Sequence, residues 1–321
     1  DQVFDGFATT QVGAHALTAG GELRNESLAN SGLKNGNDSA RHQALFIQDE
    51  WAISNRLLLT AGVRADHHEL FGSELSPRLY LVWEATPELV IKGGYGHAFK
   101  APTLKQISPN YVSNDLPFIF LGNPAVKPEK SDSIEISADW KRGPLALRGA
   151  LFHNEVRNLI FQRPVAWRKV GPINVPTHFL FDNINQASIT GLEGGFNWSL
   201  NPNLDWAGAL TLLKTRDRST GQKLENRPTV ALSSHLDWRN SNGWSARGGF
   251  QLVGSQIATG GMATLPSYTL WNASVAKQLD KNLTLRAGID NIGDLRLAEK
   301  SPNFTYAERG RTLYATLRAD F

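Results

Sequence analysis

Cysteine is absent from the 321 residues, which excludes disulfides, thiolate metal sites and a cysteine nucleophile. Long apolar runs are missing as well. No stretch reaches the ~18 residues a helix needs to cross a bilayer, so a helical membrane protein is excluded. Charge of one sign has almost no excess: 33 Lys and Arg stand against 30 Asp and Glu, a net +3 without a basic run, and nothing here marks a nucleic-acid binder. There is no phosphate loop, dinucleotide fingerprint or nucleophile elbow.

What the chain does have is alternation at period two. In Arg311–Phe321, Leu313, Ala315, Leu317, Ala319 and Phe321 fall on one face, and Thr312, Tyr314, Thr316, Arg318 and Asp320 on the other. The split recurs at Leu57–Asp66, Ser133–Trp140, Trp244–Leu252 and Leu283–Asp290. Each such segment reads as a strand with one apolar and one polar face. About 14 segments of about ten residues can be counted, the length a tilted strand needs to cross the hydrocarbon.

Connections alternate in length. Short turns fall near Asn55, Pro87, Arg142, Pro202, Asn240 and Asp280. Long loops are expected at roughly 25–41, 69–75, 100–130, 158–186, 216–226, 257–266 and 293–310. Seven of the nine tryptophans (Trp51, Trp83, Trp140, Trp198, Trp206, Trp238 and Trp244) lie close to a short turn. Indole prefers the membrane–water boundary, so these read as an aromatic girdle rather than as soluble-core residues. The polar faces carry Arg64, Arg78, Lys92, Arg148, Glu193, His235, Arg247, Arg286 and Arg318, which face lipid only at high cost and so imply a wet or protein-filled lumen.

The expected fold is therefore all-β: a transmembrane antiparallel up-and-down β-barrel occupying residues 1–321. Several motifs then stand out. Gly94-Tyr95-Gly96-His97-Ala98-Phe99-Lys100-Ala101-Pro102-Thr103-Leu104 is followed by Gly122-Asn123-Pro124-Ala125-Val126-Lys127-Pro128-Glu129, then by Gly191-Leu192-Glu193 and Asp290-Asn291-Ile292-Gly293-Asp294. With the terminal Phe321, these resemble the TonB-dependent receptors, active importers of the bacterial outer membrane, over nearly the whole chain. Val126 stands where that pattern has leucine. Lys105–Tyr111 and Arg64–His68 look most like the ferric-catecholate and colicin-receptor branch.

The resemblance implies an outer-membrane, multi-pass receptor for a ferric siderophore, with haem or cobalamin as variants; a passive porin-like barrel is the rival. It implies a wall of about 22 strands around an N-terminal plug that engages TonB, so this chain is expected to be the C-terminal portion without that plug. Iron would enter only as part of the transported chelate, with no cofactor or resident metal. Outer-membrane lipid is a further partner, and a colicin or phage a further user of the loops.

A ferric catecholate is a trianion with aromatic rims, so its site calls for arginines or lysines together with aromatics. Candidates on the long loops are Tyr111, Phe118, Phe120, Arg163, Trp167, Arg168, Lys169, Arg216 and Arg218. For Gly122-Asn123-Pro124 and Lys127-Pro128-Glu129, loop architecture is the stronger reading than ligand contact, because each proline stiffens the chain. Glu135 and Glu193 are expected to point inward and pair with lumen arginines. His235 with Ser233 or Asp237 reads as a lumen hydrogen-bond network, not a catalytic group. His67-His68-Glu69 lacks the partners of a metal site.

Overall fold

The computed structural model describes residues 1–320 apart from 34, 116–117, 171–172, 260, 262 and 305–307. Phe321, read as the closing aromatic, lies outside the described residues. In chain order the strands are β1 (Gln2–Val12), β2 (His15–Ala29), β3 (Asn37–Ser54), β4 (Leu57–His68), β5 (Gly72–Thr86), β6 (Leu89–Lys100), β7 (Val112–Asp115), β8 (Phe118–Leu121), β9 (Glu129–Arg142) and β10 (Leu145–Val170). They continue as β11 (Ile173–Asn201), β12 (Leu204–Asp217), β13 (Val230–Arg239), β14 (Trp244–Val253), β15 (Gln256–Ile257), β16 (Thr264–Leu265), β17 (Tyr268–Gln278), β18 (Leu283–Asp290) and β19 (Thr312–Ala319). Two single-turn helices, α1 (Leu104–Ile107) and α2 (Leu297–Lys300), sit in loops. Neither is long and apolar enough to cross a membrane.

Seventeen strands share one sheet. Fifteen of them form an antiparallel meander in which each wall strand pairs with the next, β6 passing to β9 and β14 to β17. The first strand, β1, closes on β2 through the tight turn after Val12.

Register keeps one face mostly apolar at membrane depth, with Asp49, paired to His15 at 2.8 Å, as an exception. Leu45 sits opposite Ala65 and Ala65 opposite Leu75, while Leu79, Tyr95 and Ile134 make a second outward row. Period-two alternation turns every such residue to the same side, and a slip of one residue would invert it. Leu45 and Leu313 are 72% and 73% exposed, and large apolar side chains on this face are open all along the wall. A face this apolar requires lipid. All seven girdle tryptophans belong to it, at the short-turn ends of their strands. The opposite face carries Arg64, Arg78, Lys92, Arg148, Glu193, His235, Arg247, Arg286 and Arg318, as the alternation predicts.

One expected loop is not a loop. Residues 158–186 continue β10 and β11 as a paired hairpin to Val170↔Ile173. Pro164 and Pro176 read as breakers in the sequence. Here they lie in a two-stranded ribbon beyond the wall, where the ladder shifts register around Ala166, and at such an edge a missing N–H is tolerated. β10 has 26 residues, a reach of roughly 85 Å at ~3.3 Å per residue, more than twice what the membrane needs.

The two outermost wall strands each have one partner among the described residues: β1 pairs with β2, and β19 with β18. Both run from the long-loop side to the short-turn side, so they cannot form an antiparallel pair with each other. Closure needs an odd number of further strands between them.

Facing predicts an asymmetry on β3. Ile47→Arg, on the outward face, should lower the stability of the lipid-embedded barrel by about 2–4 kcal/mol. Its inward neighbour Gln48, bonded to Glu50 at 3.1 Å, should accept arginine at under about 1 kcal/mol. Urea unfolding in vesicles measures both, and equal costs would contradict the assignment of faces.

Candidate functional site on the long-loop face

The insert between β6 and β9 is built on its prolines and one close approach. Pro102 is buried and ends β6, because it has no N–H to offer the ladder. Thr103 and Gln106 then form a capping box around α1, the Gln106 Oε1 accepting the Thr103 N–H at 2.9 Å. Leu104 is 1% exposed and anchors the turn. Gly122 passes so near the Ser108 carbonyl that a Cβ there would stand 2.0 Å from its oxygen, which no side chain allows.

The return path is clamped to the β10–β11 hairpin. Asn123 Nδ2 donates to the Phe181 carbonyl at 2.9 Å, and the Lys127 N–H donates to Asn183 Oδ1 at 2.8 Å. Asn183 Nδ2 donates in turn to the carbonyls of Lys127 and Asn158, at 3.1 and 2.7 Å. Glu129 Oε1 accepts the Ile160 N–H at 2.7 Å. β8 adds a parallel pairing to β11, setting Phe120 opposite Phe179. The Phe118 and Phe120 rings lie 5.6 and 5.5 Å from Phe179, and Phe120 lies 6.4 Å from Phe181. The Gly-Asn-Pro and Lys-Pro-Glu motif is thus a clasp. Val126, buried at 3%, fills the apolar position between its two halves.

Beside this clasp a cavity of about 510 Å³ opens where the hairpin meets loops 217–227 and 258–261. Gln106, Phe161, Gln162 and Phe181 line one side, and Asp217, Gln222, Lys223 and Arg227 the other. The 217–227 loop is held in shape from both ends. Asp217 Oδ1 accepts the Ser219 N–H at 2.7 Å, and the buried Leu224 donates its N–H to Thr215 Oγ1 at 3.0 Å. Asn226 takes a left-handed φ of 53° and ties to Thr259 Oγ1 at 2.9 Å. Two cations, several amides and aromatic edges, together with the carboxylates of Asp217 and Glu225, therefore converge on one concave, pre-shaped space of ligand size.

The structure distributes the residues expected to bind ligand over three places. Tyr111, Phe118 and Phe120 belong to the clasp; Tyr111 is 6% exposed, with the Lys105 ammonium 6.0 Å from its ring centroid. Arg163 pairs with Asp182 at 2.7 Å on the hairpin, and Trp167, Arg168 and Lys169 are exposed towards its tip. Arg216 and Arg218 stand on the outward face of β12 and just beyond it, Arg218 in contact with Glu155. The cavity residues Gln162, Gln222, Lys223 and Arg227 were not singled out. Their one sequence signal was Asn226-Arg227-Pro228 shortly after Gln222-Lys223, which only folding brings opposite Phe161.

Below the loops, a second cavity of about 590 Å³ lies on the inward wall, lined by Lys92, Glu135, Arg148 and Glu193. Both glutamates point inward as expected. The ion pair seen there is Lys92 with Asp139 at 2.7 Å, not an arginine with either glutamate. Further round, Asp237 takes both Arg247 nitrogens at 2.5 and 2.8 Å and has His235 Nε2 at 3.3 Å, the lumen network the sequence suggested. His67 bonds Ser73 Oγ at 2.9 Å, and His68 Nδ1 accepts the Leu70 N–H at 3.2 Å, so the two histidines, on opposite faces of β4, make separate contacts within the β4–β5 connection.

The last long loop is tied by the Asp290–Asp294 motif. Asn291, buried and at φ 51°, donates through Nδ2 to the carbonyls of Leu295 and Arg309, both at 2.8 Å. Asp294 Oδ1 accepts the Arg311 N–H at 2.7 Å, and this backbone hydrogen bond, helped by Arg296, holds its carboxyl below the usual range. Leu297 and Phe304 then pack with Ala258 and Leu265 into an apolar cluster that joins the last two loops.

The model of the family described as TonB dependent receptor-like, beta-barrel matches residues 2–292. The chain is 28% identical over 338 residues to the iron-regulated outer membrane virulence protein of Vibrio cholerae, covering 99% of this chain and 51% of that protein. It is 28% identical over 324 residues to the ferric enterobactin receptor of Pseudomonas aeruginosa, covering 90% of this chain and 43% of that one. A crystal structure of the latter superposes with a TM-score of 0.81 at 26% identity, over 99% of this chain and 54% of that chain. The chain thus spans about half the length of the curated relatives it matches.

The clasp makes a prediction of its own. Asn183→Ala leaves the Lys127 N–H and two carbonyls without their partner, a local cost of about 1–3 kcal/mol. Hydrogen exchange across 118–128 should accelerate accordingly while the wall strands stay protected. Unchanged exchange there would show that the asparagine is dispensable.

Proposed function

The chain belongs to the TonB-dependent receptor β-barrel family, and from that premise we propose that it forms the loop-bearing part of an outer-membrane receptor that imports a ferric siderophore of the catecholate class. The observation that carries the proposal is the cavity between the hairpin and loops 217–227 and 258–261. Its Lys223 and Arg227 answer the negative charge of a ferric tris-catecholate, Phe161 and Phe181 its aromatic rims, and the amides of Gln106, Gln162 and Gln222 its oxygens. The similarity to the ferric enterobactin receptor of Pseudomonas aeruginosa, in sequence and in fold, supports that cargo class.

The mechanism is capture followed by gating. Trp167, Arg168 and Lys169 on the exposed hairpin meet the chelate first, and the cavity below holds it. The inward arginines and lysines, among them Arg64, Arg78, Lys92, Arg148 and Arg286, then favour its passage along the lumen by long-range attraction. Coupling to TonB runs through a plug engaged by strand addition, as in the family. No bond of the chelate has to break, so the protein's work is binding, selection and release of a path. Iron is cargo throughout.

Tryptophan-fluorescence titration of the complete receptor in detergent tests this, with a ferric catecholate, a ferric hydroxamate, haem and cobalamin run in parallel. The ferric catecholate alone should quench saturably. Replacing Lys223 and Arg227 with alanine removes two charge-assisted contacts of about 1.5–3 kcal/mol each and should weaken binding at least tenfold. The same change at Arg168 and Lys169 should slow association more than it weakens binding. Flat titrations for the catecholate, or full affinity in the Lys223 and Arg227 variant, would overturn the assignment.

A further inference from the structure

The outward wall carries a feature that cargo uptake does not use. An apolar groove of about 820 Å³ runs down the lipid-facing side of β5, β6, β9, β10 and β11. Leu81, Trp83, Ile91, Ile136 and Leu151 border it, and it exists because Gly93, between Leu81 and Ile136 in the register, offers no side chain to fill the wall there. Its upper end is polar, formed by Tyr95, His153 and Thr190.

Cations stack directly above that end. The register places Ile134, His153, Thr190 and Lys214 in one outward row across β9 to β12. The next row up is Asp132, Glu155, Ser188 and Arg216. Above it come Lys130, Arg157 and Gln186, with the Arg218 N–H donating to the Gln186 carbonyl at 2.9 Å. The acids of this surface are already engaged. Asp132 accepts from Tyr95, His97 and Arg157 at 2.6, 2.9 and 2.9 Å, Glu155 contacts His153 and Arg218, and Glu74 takes Lys130 at 2.5 Å. Lys214 and Arg216 are exposed and have no acidic partner among the described residues. They stand on the strand next to Thr190, beside the mouth of the groove, with Leu212 below them in the hydrocarbon.

We propose that this sector of the outer wall holds one anionic, phosphate-bearing lipid of the leaflet on the long-loop side. One acyl chain fills the groove over Gly93, and the phosphate rests on Lys214 and Arg216. Long basic side chains at the top of an apolar band reach up to headgroup level while their stems stay in the apolar layer, which is the geometry a lipid phosphate meets. The groove accounts for a lipid rather than free phosphate, since it takes a chain that inorganic phosphate lacks.

The test uses the complete receptor in nanodiscs of phosphatidylcholine doped with lipid A, and counts retained lipid by native mass spectrometry after a delipidating wash. One lipid A should stay bound per receptor. K214Q/R216Q should cut retention about thirtyfold at low salt, and Leu151→Trp, which occupies the groove, should also cut it. Arg41→Gln, the loss of an outward charge on β3 away from the groove, should leave it unchanged. Heat-modifiable gel mobility confirms that each variant is folded. No preference for lipid A over phosphatidylcholine would overturn the proposal. So would an equal loss in Arg41→Gln, which would mean diffuse attraction only, or displacement of the lipid by excess inorganic phosphate, which would mean a plain anion site.

Discussion

A bilayer offers no hydrogen bonds, so every backbone N–H and C=O that crosses it must find a partner inside the protein. That constraint organises this molecule. It forbids loops at membrane depth, so the chain changes direction only in tight turns on one side and in inserts on the other. It also makes the ladder continuous from β1 to β19 and allows β10 and β11 to run on as a ribbon past the membrane, where water removes the requirement but pairing persists. The same constraint bears on the two outer edges. Because β1 and β19 run in one direction, the wall is completed only by an odd number of strands, which gives the even-numbered wall usual for bacterial outer-membrane barrels.

Within that frame, a division of labour follows from the period of two. Outward positions at membrane depth are mostly apolar, with Leu, Ile, Ala and Trp recurring along the wall. Inward positions carry charge, and many of those charges pair with each other, Arg64 with Glu22 and Asp66, Lys92 with Asp139 and Arg247 with Asp237 among them, whereas Glu135 and Glu193 face an open cavity. The wall is held by its ladder and by lipid, leaving Arg78, Arg148 and Arg286, which have no ion pair among the described residues, available to whatever occupies or crosses the lumen.

The long loops solve a different problem, because water competes for their hydrogen bonds and there is no lipid to press them together. They are held by side-chain amides that bridge backbones. Asn123 and Asn183 fasten the insert to the hairpin, Asn226 fastens one loop to the next, and Asn291 closes the last loop on itself. Small apolar clusters back these bridges, such as Phe118, Phe120 and Phe179 in the insert and Leu297 with Phe304 in the last loop. The loop face is therefore preorganised, which lowers the ordering cost of binding.

Alternation, girdle tryptophans and turn spacing made the barrel, its facing and its inward charges readable directly, since each depends on neighbours two residues apart in the chain. The motif around Gly122 and Glu129 was equally visible, and its Asn123, Lys127 and Glu129 meet backbone and asparagine groups of the hairpin. Three things could not be read this way. The length of the β10–β11 hairpin was hidden because Pro164 and Pro176 look like breakers unless it is known that they sit outside the wall. The cavity was hidden because Phe161, Gln222 and Arg227 are far apart in sequence and carry no shared periodicity. The outward cation rows were hidden because Lys130, Arg157 and Lys214 become neighbours only through strand register. Sequence by itself determined what repeats along one strand; tertiary structure decided what different strands and loops bring together, because cross-strand register and loop docking are set by pairing over long separations.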